Sequence, residues 1–187
     1  MLLNQLTGAL AMDKMTAPTF TLAEVATAAG TKSTTLRQWL FRDWFKLDSS
    51  DAPAHTPGAT TLVTGRTALA MGVAVHLGGS VVPLEMAMKA AVMFAYSGSD
   101  ESEEANGIAR RPGEIFEGAD VTDTLAVFSR GEGRNDWQTA IIPKIDGMKL
   151  EDCINSGSYG INSLETLIIC PLSNTVHALR TKLDLNK

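Results

Sequence analysis

Cysteine is almost missing from this chain. Cys153 and Cys170 are the only two in 187 residues, no C-x-x-C spacing occurs, and His55, His76 and His177 are scattered. This excludes the spacing of a zinc module and the cysteine density of a disulfide-stapled secreted domain. Both thiols are expected to be buried, and no metal or other cofactor is expected. No apolar run reaches the roughly 20 residues that a bilayer-spanning helix needs, so no membrane contact is expected and the chain reads as cytoplasmic. Catalytic signatures are missing as well. There is no G-x-S-x-G, Walker, H-E-x-x-H or deaminase pattern, and the serines, Lys144 and Lys149 of the second half lack the arrangement of a self-cleaving repressor. Gly131-Glu132-Gly133 has the wrong spacing for a dinucleotide loop and reads as a hairpin turn. With no marked nucleophile or acid–base pair, the chain is not expected to be an enzyme.

Positive charge is also scarce overall, at a formal net charge of −5. Taken alone that argues against nucleic acid, but the distribution matters more than the sum. Through residue 98 the cations Lys14, Lys32, Arg37, Arg42, Lys46, Arg66 and Lys89 slightly outnumber the acids Asp13, Glu24, Asp43, Asp48, Asp51 and Glu85, so the net negative charge falls on the second half. Four of those cations lie between Lys32 and Lys46, with Asp43 as the single acid among them. A basic helix on a near-neutral head can bind phosphate, while an acidic second half limits non-specific attachment. The patch is small, so one copy should bind weakly, and a homo-oligomer (a dimer or higher) is expected.

Phe20 to Phe45 has the spacing of two short helices joined by a tight turn. Leu22, Val25, Ala26 and Ala29 fall on one face at i, i+3, i+4 and i+7. Gly30 supplies the residue that tolerates left-handed geometry, and Ser33 is expected to cap a second helix. That helix is expected to bury Leu36, Trp39 and Leu40 and to turn Lys32, Ser33, Thr34, Arg37, Gln38 and Arg42 outward. Steeply crossed helices need a small residue at the crossing, and Ala26 provides it. Thr31 stands where an aliphatic residue is more usual.

At these residues the chain resembles the MerR-type winged helix-turn-helix family. The resemblance lies in Phe20-Thr21-Leu22, Glu24-Val25-Ala26, Gly30 and Thr35-Leu36-Arg37-Gln38-Trp39, followed by a polar wing-like loop, a helix near Thr64 to Leu77, Gly78-Gly79 and another helix from Pro83. It covers roughly residues 20 to 95. It implies that Arg37 and Trp39 contact DNA phosphates and that Lys32 to Thr35 lie near base edges. Two family features are not present. The Arg–aromatic pair before the third helix is replaced by Ala-Thr-Thr-Leu-Val-Thr-Gly with only Arg66 for charge, and the long dimerising coiled coil is missing. Metal or drug sensing and DNA twisting are therefore not carried over.

The resulting expectation is an α+β protein: an N-terminal winged helix-turn-helix domain followed by a small C-terminal α+β domain. Residues 1–19 read as a loose leader, with Met12 or Met15 equally good starts. Residues 20–96 read as the DNA-binding head, 97–107 as an acidic linker, and 108–187 as an oligomerisation or effector domain. In the head, Lys46 to Leu62 is rich in Asp, Ser, Pro, Thr and Gly and reads as the wing, with Thr60 to Val63 as its returning strand. Thr64 should cap a helix buried through Leu69, Val73, Val75 and Leu77. Pro83 suits the first turn of the next helix, whose methionines are expected mainly in the core. In the second half, strands are expected over Thr124–Ser129, Trp137–Pro143 and Leu164–Leu172. Short helices are expected over Lys149–Asn155 and from Ser173 or Asn174, giving a sheet with helices on one face. Arg110 and Arg111 are expected to pair with Glu114 and Glu117.

The expected function is sequence-specific binding of double-stranded DNA by a transcriptional regulator, such as a repressor. Arg37, Arg42, Lys32 and Lys46 would hold the backbone, and Ser33, Thr34 and Gln38 would read base edges. Thr21, Thr35, Trp39 and Arg66 complete the DNA-facing set. A protein partner or small-molecule effector would meet the C-terminal domain. The rival expectations are a phage-type architectural or packaging protein (like an excisionase or a small terminase subunit) and a protein-binding antirepressor or adaptor.

Overall fold

The computed structural model describes residues 13–56, 59–79, 82–98, 108–131, 136–156 and 164–185. The fold is mixed α+β. Strand β1 (Phe20–Thr21) runs directly into helix α1 (Leu22–Ala29). Thr21 starts the helix because its hydroxyl accepts from the Glu24 N–H at 3.2 Å while the Glu24 carboxylate accepts from the Thr21 N–H at 2.8 Å. This reciprocal pair satisfies donors that a helix start leaves open. It also holds the Glu24 carboxyl below its ordinary range, chiefly through the Thr21 backbone bond. Leu22, Val25, Ala26 and Ala28 are buried, and Ala29 is only partly so.

Gly30 ends α1 at φ +70°, with the Thr31 N–H returning to the Ala26 carbonyl at 2.9 Å. Helix α2 (Ser33–Phe41) follows. Its cap is Lys32 rather than Ser33, and Lys32 makes no side-chain capping bond. The reason is local: Thr31 is used up in closing α1, so Lys32 takes the extended step and Ser33 is already helical.

Strand β2 (Leu62–Val63) pairs antiparallel with β1, with Phe20 opposite Val63, and Ala52 bridges to Leu62 at the base of loop 46–61. The returning strand is therefore shorter than expected. Thr64 then caps α3 (Gly65–Gly78), accepting from the Thr67 N–H at 3.2 Å. Ten of the 14 residues of α3 are buried, which makes it the central helix of the core. Helix α4 (Leu84–Tyr96) packs along it, with Pro83 as cap instead of first-turn residue. Met86 and Met88 are buried and Met93 partly buried, while Val92 on the same helix is 41% exposed.

In the second half, β3 (Val121–Gly131), β4 (Gln138–Ile145) and β5 (Leu164–Pro171) form an antiparallel sheet in the order β4-β3-β5. Helix α5 (Leu150–Ser156) and helix α6 (Ser173–Lys182) flank the last strand in sequence. Alternation along β3 sends Ala126 and Phe128 into the main core and Leu125 and Val127 into a second cluster with Cys153 and Ile154 of α5. Helices therefore cover both faces of the sheet, not one. Cys170 of β5 lies in the main core and Cys153 of α5 in the second cluster, so the two thiols are buried apart.

The two halves share one continuous apolar core, in which Val25, Leu36, Leu69 and Phe94 meet Phe128, Leu172, Val176 and Leu179. Helix α6 crosses close to α3 at Gly72, where a Cβ would lie 2.6 Å from the Leu179 methyls. Residues 99–107, the bulk of the expected acidic linker, and 132–135, most of the expected hairpin turn, lie outside the described residues. So do residues 1–12 of the expected leader. Its remainder is tied in: the Lys14 carbonyl accepts from Gly65 N–H at 2.7 Å, and the Lys14 ammonium meets the Asp184 carboxylate at 2.8 Å. Arg110 is buried against the C-terminal end of α4. It donates to the carbonyls of Phe94 at 2.8 Å and Ser97 at 2.6 Å and reaches the Glu114 carbonyl at 3.3 Å. A cation at the end where helix carbonyls point outward is favourably placed.

Candidate nucleic-acid interface

Helix α2 divides sharply between its two sides. Leu36 and Trp39 point into the core, where Trp39 is 6% exposed. Lys32, Thr34, Arg37 and Gln38 are exposed, and Ser33 and Thr35 are half-buried. The spacing of about 3.6 residues per turn produces this division directly from the sequence. Trp39 supports the helix from within by packing, leaving the polar side chains, with Phe41 in the last turn, as the outward surface.

The C-terminal end of α2 is less ordinary. Asp43 takes left-handed geometry at φ +56°, the Trp44 N–H bonds to the Trp39 carbonyl at 2.9 Å, and the Asp43 N–H bonds to Leu40 at 3.1 Å. This is the same closure that ends α1, with Asp in place of Gly. It turns Phe45 into the core and leaves Trp44 outside. The Arg42 guanidinium lies over the Trp44 ring, 4.8 Å from its centre. Lys46 stands 3.6 Å from the Asp43 carboxylate, with both side chains exposed, so the pair is weak. Lys32 and Arg37 thus stand with the hydroxyl-bearing face, whereas Arg42 and Lys46 sit at the far end among aromatic and acidic neighbours.

Arg37 also borders a cleft of about 580 Å³ between the start of α1, the outer side of α2 and the return of loop 46–61. Thr21, Leu40, Thr60 and Thr61 share its lining. Thr60 is exposed, whereas the hydroxyls of Thr21 and Thr61 are engaged by Glu24 and by the Ala54 N–H. A guanidinium beside hydroxyls and exposed backbone suits an anionic oxygen.

Asp51 fixes the loop that forms one wall of this cleft. Its buried carboxylate accepts from the Thr64 N–H at 2.7 Å, the Thr67 hydroxyl at 2.7 Å and the Asp48 N–H at 2.8 Å. The Thr67 hydroxyl also bonds Tyr96, whose phenol is pushed above its ordinary value by burial. Asp48 is held low, mainly by the Ser50 backbone bond, with a smaller contribution from the Arg66 charge. Arg66, the second residue of α3, is half-buried at this root. The other end of the support comes from the second half: Lys182 of α6 donates to the Ala28 carbonyl at 3.0 Å, closing the C-terminal end of α1.

Thr21, Arg37 and the Lys32–Gln38 surface are therefore neighbours, while Arg42, Lys46 and Arg66 form separate groups. Sequence reasoning missed Asp51, Phe41 and Trp44. The run Asp48-Ser49-Ser50-Asp51 was a legible turn signal, but nothing local marked its second acid as buried. Among the described residues no group of three or more His, Cys, Asp or Glu side chains could hold a metal ion, and no helix is long and apolar enough to cross a membrane. No family model matches the chain, and no curated protein matches it.

Proposed function

We propose that the protein binds double-stranded DNA sequence-specifically and regulates transcription, with α2 lying in the major groove. The observation that carries this reading is the outward face of α2: Lys32, Thr34, Arg37 and Gln38 are exposed in register on a helix propped from behind by Leu36 and Trp39. An α-helix of this kind fits the roughly 12 Å width of the major groove. On this reading loop 46–61 is the wing of a MerR-like head, and Arg37 holds a phosphate at the cleft beside it. Ser33, Thr34 and Gln38 read base edges, each good contact contributing about 1–3 kcal/mol of discrimination. Trp39 acts by positioning the helix. Lys32 steers and holds backbone, whereas Arg42, Lys46 and Arg66 contribute less than their charge alone implies.

The test is selection of bound fragments from genomic DNA, followed by a salt titration of the selected site. Arg37→Ala is expected to weaken binding about tenfold on all sequences and to lower the salt slope by about one. An unchanged affinity and slope would overturn this docking. A long, multi-site footprint would favour an architectural or packaging role over a regulator. A second reading has its own observation: the exposed aromatics Phe41 and Trp44 favour a protein-binding adaptor, and a selection that retains no DNA would establish that reading instead.

A further inference from the structure

Of the five exposed large apolar side chains among the described residues, Leu150 and Leu167 lie in the second half, Phe41, at 91%, ends α2, Trp44, at 49%, follows it, and Val92, at 41%, lies on α4. A groove of about 430 Å³ opens between the segment that follows α2 and the first half of α4, lined by Asp43, Trp44, Leu84, Glu85 and Met88. Trp44 is thus one wall of that groove, and Phe41 stands out from the preceding helical turn. On α4, Glu85, Lys89 and Val92 are all exposed and follow at i, i+4 and i+7, which places them on one helix face.

The geometry points to a two-fold contact between copies of this chain, made by the end of α2 and the outer face of α4. The patch complements itself. It carries a protruding ring and an apolar groove, and it carries both signs of charge along one helix. Two α4 helices set antiparallel about a two-fold axis near position 87, in the first half of the helix, place Glu85 of one protomer against Lys89 of the partner subunit, and the reverse. Phe41 of each copy then enters the groove of the other. An isologous interface needs this property, that one surface contains both halves of the match. A partner of one charge sign would be attracted by Asp43 and Glu85 but repelled by Arg42, Lys46 and Lys89, or the reverse. A second copy meets both. The contact belongs to the free protein and stands whether or not α2 binds DNA.

The full chain without DNA is examined by sedimentation over a wide concentration range. The wild type is expected to be a reversible dimer. Phe41→Ser is expected to raise the dimer dissociation constant about tenfold or more, as for a central aromatic anchor. Glu85→Lys and Lys89→Glu place like charges across the axis, so each alone is expected to dissociate more readily. Mixed in equal amounts, these two variants are expected to recover dimer mass, because each then offers the opposite charges to the other. All three positions are exposed, and an unchanged thermal melt separates lost association from lost folding. A monomeric wild type at every concentration would overturn the proposal and leave the groove to another occupant. So would a dimer indifferent to all three substitutions, or a mixture that stays monomeric. Arg37→Ala is expected to keep the dimer, so a failure of DNA binding is distinguishable from a failure of this contact.

Discussion

Helices α2 and α3 are neighbours in the same half of the chain, yet they use their residues in opposite ways. In α3 small and apolar side chains lie on nearly every side, and Leu69, Met71 and Val73 have no exposed surface. In α2 only Leu36 and Trp39 are buried, and the remaining length carries three hydroxyls, an amide, the Arg37 cation, Leu40 and the exposed Phe41. A helix surrounded by protein is chosen for volume, because every side must fit a neighbour. A helix with one buried stripe needs only that stripe, so the rest of its surface is free to be chosen for another purpose. This contrast makes α3 the structural helix and leaves α2 as the helix on which the proposed recognition rests.

The contrast breaks most visibly with truncation. Leu69→Ala is expected to destabilise by about 2–5 kcal/mol in urea unfolding, through lost contacts and a residual cavity. Arg37→Ala on the open face of α2 is expected to stay within about 0.5 kcal/mol of wild type. Similar losses at both sites would remove the distinction. Asp51→Ala tests the seam between α3 and the loop beside α2. Removing one carboxylate leaves three donors without their acceptor, which is expected to cost about 1–3 kcal/mol. Faster protease cleavage within 46–61 should accompany it.

Gly30→Ala sharpens the comparison from the side of α1, which sets where α2 begins. Nothing lies within 4 Å of an added Cβ, so its expected cost of about 1–2 kcal/mol is backbone strain at φ +70° and not a clash. An unchanged melting temperature would mean that the left-handed turn is not required. The smallest effect concerns the start of α1. The folded Glu24 carboxyl titrates below its ordinary value, so its stabilising charge is fully present above that value and is lost as pH falls through the lowered one. The stability difference between wild type and Glu24→Ala is therefore expected to shrink on acidification. A difference that grows toward low pH would contradict the capping geometry.

Local pattern was enough for much of the fold. The apolar spacing of Leu22, Val25 and Ala26, the left-handed turn at Gly30 and the cap at Thr64 all follow from interactions within a few residues. The strands of the second half were legible for the same reason, as alternating apolar runs. Less legible were features that depend on what arrives from elsewhere. Lys32 replaced Ser33 as cap because the preceding turn closed one residue earlier in the chain than the hydroxyl signal implied. Asp51 looked like one more acid in a polar loop until Thr64 and Thr67 were brought to it. Arg110 looked like a partner of the Glu114 and Glu117 carboxylates until the end of α4 presented its carbonyls.

The sequence alone determined the α+β class, the element boundaries to within a few residues and the two-sided character of α2. These depend on residue periodicity and backbone preference, which act over a turn or a strand. Only the tertiary structure decided that both halves close on one core, that α5 covers the second face of the sheet, and that Lys182 closes the end of α1. It also decided which exposed side chains are neighbours, setting Arg42 on Trp44 and Lys46 beside Asp43 while leaving Arg37 at the cleft. Those outcomes depend on groups far apart along the chain, and no local window contains both partners.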